Sequence, residues 1–362
     1  MEYYFTAQKL SVGYNKKPLI ENMEFALKQG EILTLIGPNG AGKSTVLKSI
    51  ARQLALTGGS VGLGGRNLLE LSPKELSERM AVVFTEKLQT EMMTCEEVAA
   101  TGRYPYTGRF GILSADDKKA VAEAMELVHV EEIRQKDFTC ISDGQRQRVM
   151  LARAICQEPE IIILDEPTSY LDIKHKLDFL DVLQEMRKKK KLTVIMSLHE
   201  LELAEKISDK ILCLKGAYAE RFGSPQEVFT PGYISELFSI SKGSYDEENG
   251  NMELPAPKGD ARVFVIAGDG SGRNVYRSLQ RQGIAFAAGI LFKNDLDYPV
   301  AKALAAEVIG AESFEPVSPA CEKRAEEVME TCEKVICCRE SFGTFEKANQ
   351  RLFEKARGTG KI

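Results

Sequence analysis

The sequence predicts an α/β protein: a phosphate-loop nucleotide-binding domain on a parallel sheet, followed by a smaller Rossmann-like α/β domain. Three observations carry this. Gly37 to Thr45 read Gly-Pro-Asn-Gly-Ala-Gly-Lys-Ser-Thr, the G-x-x-x-x-G-K-[ST] spacing of a phosphate-binding loop. Short apolar runs at 32–36, 161–164 and 192–196 alternate with helix-compatible segments, as parallel strands buried on both faces do. Composition then turns polar and turn-rich from Ser241 to Asp260, and strand–helix alternation restarts at Arg262. The expected domains are therefore 1–240 and 261–362, with 241–260 as a linker.

The bulk of the chain narrows the function classes. At 362 residues it has room for two or three domains. A net charge of -5 gives no basis for binding nucleic acid. No apolar run approaches the length of a membrane span, and Met1-Glu2-Tyr3-Tyr4 lacks the regions of a signal peptide. A role at a membrane would therefore require docking to another subunit. The eight cysteines include no C-x-x-C pair, so reduced thiols are expected.

The elements follow in order. Ile32 to Ile36 is a strand that runs into the phosphate loop, and Val46 to Gln53 is helix-compatible. Gly37, Gly40 and Gly42 let the backbone curl so that several N–H groups converge on one phosphate. Lys43 can reach the β- and γ-phosphates, and Ser44 can ligate magnesium. Leu71 to Ile133 is mostly helical in pattern, apart from an apolar strand at Met80 to Phe84. Arg146 to Gln157 reads as one helix. The run Ile161 to Leu164 ends in Asp165 and Glu166, at the strand end where ligands bind in parallel sheets. There Asp165 suits a magnesium carboxylate and Glu166 a general base for the attacking water. Arg187 to Lys191 is a basic helix end favoured by the helix dipole.

Between and beyond these lie Ser142-Asp143-Gly144-Gln145, Ser169-Tyr170-Leu171-Asp172, Ser197-Leu198-His199 and, upstream, Val12-Gly13-Tyr14. In order and spacing this set resembles the ATP-binding subunit of ABC transporters, over roughly residues 3 to 240. The resemblance implies an ABC ATPase domain with a helical subdomain that uses ATP and Mg2+. It implies that Tyr14 stacks on adenine. The phosphates would be held by Gly37, Asn39, Gly40, Ala41, Gly42, Lys43, Ser44 and Thr45. Ser142, Gly144 and Gln145 would reach the γ-phosphate held by a second copy of the chain, and Asp172 would contact that copy. Glu166 and His199 are the implied catalytic residues, and Ser44 and Asp165 the implied metal ligands.

The same resemblance implies partners: an ATP-dependent homodimer with two-fold symmetry, separate membrane-spanning permease subunits, and indirectly a substrate-binding protein. The location implied is peripheral, on the cytoplasmic side of the cell membrane. A soluble ABC ATPase of repair, translation or cluster assembly is the alternative class. Against it, the chain has a single ATP domain and no coiled-coil insert.

Two departures from the family pattern stand out. Asp143 occupies a position where the family has glycine. A bare carboxylate about 6 Å from ATP would cost about 3 kcal/mol per unit charge at an effective dielectric of about 20. Asp143 is therefore expected to point away or to pair with Arg146 or Arg148. The family's loop glutamine falls on Thr85, with Glu86 beside it, so either is the expected oxygen ligand there.

Gly102-Arg103-Tyr104-Pro105-Tyr106 is similar to a stretch in the ATPases of iron-siderophore, haem and cobalamin importers, which points to that group. In the second domain, Val263 to Ile266 runs into Gly268, Gly270 and Gly272 and then a helix from Arg273. This superficially resembles a dinucleotide fingerprint, with the third glycine one place early and Arg273 where a small residue is needed. A tight strand–helix turn explains the glycines equally well. Further strands are expected at 285–291 and 335–338, and Ser318-Pro319 as a helix cap. Cys337 and Cys338, adjacent in a strand, face opposite ways and make a poor metal pair.

Overall fold

The computed structural model describes residues 3–84, 92–108 and 111–362. Its internal contacts divide the chain into two units, Met1–Thr230 and Pro231–Ile362. The strands of the first unit are β1 (Phe5–Tyr14), β2 (Lys17–Leu27), β3 (Ile32–Ile36), β4 (Leu56–Leu63), β5 (Arg66–Asn67), β6 (Met80–Val83), β7 (Ile161–Asp165), β8 (Thr193–Ser197), β9 (Lys210–Lys215) and β10 (Tyr218–Gly223). Its helices are α1 (Lys43–Ile50), α2 (Pro73–Arg79), α3 (Cys95–Ala100), α4 (Ala115–Leu127), α5 (Asp143–Cys156), α6 (Ile173–Lys190), α7 (Leu201–Ile207) and α8 (Pro225–Val228).

Among the described residues these strands form one sheet, in the order β5-β4-β1-β2-β10-β9-β3-β8-β7-β6. β9, β3, β8, β7 and β6 run parallel. β1, β2, β4 and β5 form an antiparallel wing. Every residue of β3, β7 and β8 is buried, which is why they read as unbroken apolar runs. Sequence-distant segments thereby end side by side: the phosphate loop leaves β3, the two acids leave β7, and His199 follows β8.

Helix α1 begins at Lys43, three residues before the helix-compatible segment, because the end of the phosphate loop is already its first turn. At the loop's start Gly37 has φ 146, and a Cβ there would lie 2.2 Å from the Leu214 carbonyl oxygen of β9. Only glycine fits beside that strand.

Helices α3, α4 and α5 pack on one another as a helical subdomain. The Gly102-to-Tyr106 stretch is its clip rather than a plain connecting loop. A Cβ on Gly102 would lie 2.0 Å from the Arg153 carbonyl oxygen, so the backbone rests directly on α5. Arg103 is buried; it donates to Asp117 at 2.8 Å, to the Cys156 carbonyl at 2.7 Å and to Glu158 at 3.0 Å. Its guanidinium lies 4.1 Å from the centre of the Tyr106 ring, and the Tyr106 hydroxyl donates to the Gln157 carbonyl at 2.9 Å. Arg187, Lys189 and Lys190 of the basic helix end pair with Asp209, Glu185 and Glu158.

The second unit holds α9 (Tyr233–Leu237), β11 (Ser244–Asp246), β12 (Asn251–Glu253), β13 (Val263–Ile266), α10 (Arg273–Arg281), β14 (Phe286–Phe292), α11 (Tyr298–Leu304), β15 (Glu307–Ala311), α12 (Pro319–Thr331), β16 (Lys334–Cys337) and α13 (Lys347–Gly358). Four parallel strands lie in the order β15-β14-β13-β16. Alternate residues of β13 feed two cores. Val263 and Val265 pack with Tyr276 and Leu304 of α10 and α11, while Phe264 and Ile266 pack with Val328 and Leu352 of α12 and α13. Cys337 and Cys338 likewise divide between the two cores. Ser318 caps α12 by accepting the Cys321 N–H, with Pro319 in the first turn.

The 241–260 segment differs from its linker reading. β11 and β12 pair as an antiparallel hairpin, and the polar run between them is its turn. Asp246 accepts the N–H groups of Glu248 and Asn249 at 3.0 and 3.3 Å. Glu247 is buried and accepts the Ile234 N–H at 3.2 Å. Glu253 pairs with Arg277 of α10. Polar residues here satisfy a turn and a helix start, and the contact boundary lies upstream, at Thr230–Pro231.

The glycine turn after β13 also departs from a dinucleotide site. The carboxylate of Asp297, fully buried, accepts the N–H groups of Gly272 at 2.9 Å and Arg273 at 3.2 Å. These amides open α10 and are the ones a pyrophosphate would use. Burial pushes the Asp297 carboxyl above the usual range, against the pull of the two amides.

Two expectations follow from the fold. A chain ended at Thr230 is expected to unfold in one cooperative transition and to bind ATP. Aggregation, or loss of ATP binding, would show that later residues complete the first unit. In that unit, Ser114 and then Arg103 hold the Asp117 carboxyl at about 2, below its usual 3.8. A depressed carboxyl stabilises the folded state above its unfolded value and loses that contribution as pH falls toward about 2. Asp117→Asn should flatten the acid limb of stability between about pH 4 and 2 in denaturant titrations. An unchanged acid limb would show that the carboxylate contributes no pH dependence.

Candidate functional site

The phosphate loop and the ends of β7 and β8 enclose a cavity of about 420 Å3 lined by Asn39, Gly40, Gly42, Lys43, Ser44, Thr45, Glu166 and His199, with Leu19 at its side. Lys43 is buried, and its ammonium donates to the carbonyls of Gly37 at 2.7 Å and Pro38 at 3.2 Å. Burial lowers its pKa, while Glu166 and Asp165 pull the other way. Ala41 closes the loop through its N–H to the Pro38 carbonyl at 3.1 Å. Helix α1 has no side-chain cap, so its N-terminal amides face the cavity without an internal anion.

A chain of hydrogen bonds ties the acids to the loop. Ser44 Oγ donates to Asp165 Oδ1 at 3.1 Å, and the buried Ser197 Oγ donates to the same oxygen at 2.7 Å. The Glu166 N–H donates back to Ser197 Oγ at 2.9 Å. Glu166 itself is left-handed, with φ 48, a conformation that costs roughly 1–3 kcal/mol for a side chain of this kind. The bend turns its carboxylate off the strand direction and onto His199, whose Nε2 lies 2.5 Å from Glu166 Oε1. Ser169 Oγ donates to the other carboxylate oxygen at 3.2 Å.

Tyr14 ends β1 beside the loop, half-exposed, with its hydroxyl 3.1 Å from Thr45 Oγ1. Thr85 and Glu86 lie outside the described residues. Ser142, Gly144, Gln145 and Asp172 do not line the cavity. Ser142 and Gln145 form a reciprocal cap at the start of α5, with the Gln145 N–H on Ser142 Oγ at 3.3 Å and the Ser142 N–H on Gln145 Oε1 at 3.0 Å. A Cβ on Gly144 would come 3.4 Å from the Tyr170 carbonyl oxygen, so this helix start rests against the segment leading to Asp172. Asp172 caps α6 by accepting the His175 N–H at 2.9 Å. Asp143 pairs with Arg146 at 2.7 Å, one of its two expected partners, while Arg148 donates to the His129 carbonyl.

Ser197 is the site residue that motif reading undervalues. It appears in the sequence only as the polar end of an apolar strand, yet it is the hub between Asp165 and Glu166. Chemically, the cavity offers converging amides and one ammonium for phosphate, the hard oxygen of Ser44 with Asp165 hydrogen-bonded directly behind it, and a carboxylate–imidazole pair for water.

Comparisons with known proteins give the family. Residues 20–169 match the ABC transporter family, and residues 286–362 match the MJ0874 family. An ABC transporter ATP-binding protein of Methanocaldococcus jannaschii is 41% identical over 285 residues, covering 78% of this chain and 98% of the relative. An ATP-binding protein of Bacillus subtilis named for siderophore transport is 34% identical over 260 residues, covering 72% of this chain and 94% of the relative. Among solved structures, a dimeric bacterial ABC transporter cassette superposes with a TM-score of 0.55 at 25% identity, covering 61% of this chain and 98% of that one. The chain thus belongs to the ABC transporter ATP-binding proteins and is an ABC-type ATP hydrolase.

Proposed function

We propose that the chain is the ATP-hydrolysing subunit of an importer for an iron-siderophore, haem or cobalamin-type metal chelate. In this reading it works as a homodimer on separate membrane-spanning subunits, which receive their cargo from a substrate-binding protein, at the cytoplasmic face of the membrane. The observation that carries the hydrolytic part is a cavity lined by Lys43, Ser44, Glu166 and His199, with Asp165 and Ser197 hydrogen-bonded behind it. The importer part rests on the siderophore-named relative and on the Gly102-to-Tyr106 stretch. Among the described residues no helix is long and apolar enough to cross a membrane.

The loop amides and Lys43 bind the β- and γ-phosphates. Tyr14 offers its exposed ring to adenine. The oxygens of Ser44 and Asp165 fit a hard divalent cation such as Mg2+, and both are already drawn together. When bound, that ion neutralises phosphate charge. Glu166 takes the proton of the attacking water, and His199 fixes the carboxylate's orientation and donates toward the γ-phosphate. Ser142 and Gly144, which are exposed or half-buried at the start of α5 and outside this cavity, serve the nucleotide held by the second copy. The Asp143–Arg146 pair removes the bare charge from that surface.

Lys43→Ala is expected to weaken ATP binding roughly tenfold to a hundredfold, the worth of a lost charged hydrogen bond. Glu166→Gln should keep ATP binding, lower kcat about 10²–10⁴-fold and accumulate an ATP-bound dimer visible by light scattering. A Glu166→Gln protein turning over at the wild-type rate would remove Glu166 from the base role. Co-purification with a multi-span permease from membranes supports import. Recovery with DNA, ribosomes or cluster-assembly proteins alone would overturn it.

A further inference from the structure

We infer that Glu200 is a positioning residue for the hydrolytic pair, acting through Thr168 and Lys176; this rests on the reading of Glu166 and His199 given above. Glu200 directly follows His199 and stands at the start of α7, where its carboxylate makes no cap to its own helix. It reaches across instead. Its Oε2 accepts the Thr168 hydroxyl at 2.9 Å, and its Oε1 accepts the Lys176 ammonium at 2.7 Å.

Thr168 is 1% exposed and lies two residues after Glu166, inside the turn closed by the Ser169 N–H on the Glu166 carbonyl at 3.2 Å. Lys176 lies in the first turn of α6, four residues after Asp172. One carboxylate therefore joins three segments: the loop after β8 that carries His199, the turn after β7 that carries Glu166, and the helix that follows Asp172.

The 2.5 Å contact between His199 and Glu166 is bracketed by this link. On the strand side Ser197 fixes Asp165 and the Glu166 N–H. On the loop side Glu200, on Thr168, ties the residue after His199 to the turn beyond Glu166. Without it, the left-handed turn at Glu166 and the loop at His199 can shift independently. A displacement of about 1 Å in a reacting group can cost up to about a hundredfold in rate. An ordinary surface ion pair would not have this effect, because water replaces either partner. Here Thr168 is buried and Lys176 and Glu200 are three-quarters and two-thirds covered, with side-chain exposures of 25% and 32%.

The test uses the full chain and steady-state ATP hydrolysis, with ATP binding and thermal unfolding measured in parallel. Glu200→Gln and Lys176→Met are each expected to lower kcat about tenfold, with KM and ATP binding within about twofold of wild type. The double variant should be no slower than the slower single, because Lys176 acts only through the Glu200 carboxylate that it holds on Thr168. Lys176→Arg should restore most of kcat. A wild-type kcat in Lys176→Met, losses that multiply in the double variant, or a risen KM with unchanged kcat would each overturn the inference. If Glu200→Gln fails to fold, the Lys176→Met and Lys176→Arg pair alone decides it. Glu166→Gln in the same series separates the two readings. If it still hydrolyses ATP, the base assignment fails and the positioning role with it. If it is inactive while Lys176→Met is normal, only the positioning role fails.

Discussion

The hydrogen bonds at Ser197 hold the first unit's chemistry together. This residue pairs with Leu35 of β3 on one side and Asp165 of β7 on the other. It therefore sits on the central strand of three, between the phosphate loop and the acids. Neighbouring strands lie about 4.8 Å apart, so the backbones of β3 and β7 stand about 10 Å apart across it, a gap the side chains of Ser44 and Asp165 close. Ser197 Oγ serves both Asp165 and the Glu166 N–H from that position. A register slip of one residue in β8 would send its hydroxyl to the opposite face and leave the buried Asp165 with one fewer donor. The burial of all three strands on both faces is what forbids such a slip.

Much of this was legible in the sequence because the signals are local. The phosphate loop is a contiguous spacing, the apolar runs mark buried strands, and Asp143 with Arg146 is an i,i+3 pair on one helix. What was not legible depends on lateral contacts. Ser197 and Asp165 are 32 residues apart, and Glu200 and Lys176 are 24 apart; no periodicity reports such pairs. The 251–253 strand hid in a polar stretch because a short hairpin needs turn residues more than apolar ones. β15 carries a weak sequence signal for a related reason. It is a five-residue edge strand, Glu307-Val308-Ile309-Gly310-Ala311, with a charge and a glycine that dilute the apolar run. The group at Ser142 was legible only through resemblance, since in one chain it lies away from the cavity.

The two units start from the same local plan and finish differently. In each, a buried parallel strand runs through glycines into a helix. At α1 the helix start carries no side-chain cap, and Lys43 stands beside it. At α10 the corresponding amides are taken by Asp297, a carboxylate delivered by the following strand–helix connection. An internal anion there stabilises the turn and removes the place for an external one. The difference lies in one residue 25 positions downstream of Gly272, beyond the reach of any glycine pattern.

The grip on α5 has a mechanical consequence. Fourteen residues of helix span about 20 Å. The far end presents Ser142 and Gly144, while the near end is held by Arg103 on the Cys156 carbonyl and Glu158 and by Tyr106 on Gln157. The backbone of Gly102 also rests directly against α5. Such a rod is anchored at its root and packs against α3 and α4 as one body. A small tilt imposed on the 101–107 segment would be transmitted along it with little loss, and would emerge as a larger sweep at the tip. The short loop and the start of α5 are thus the two ends of one lever, although some forty residues of sequence separate them.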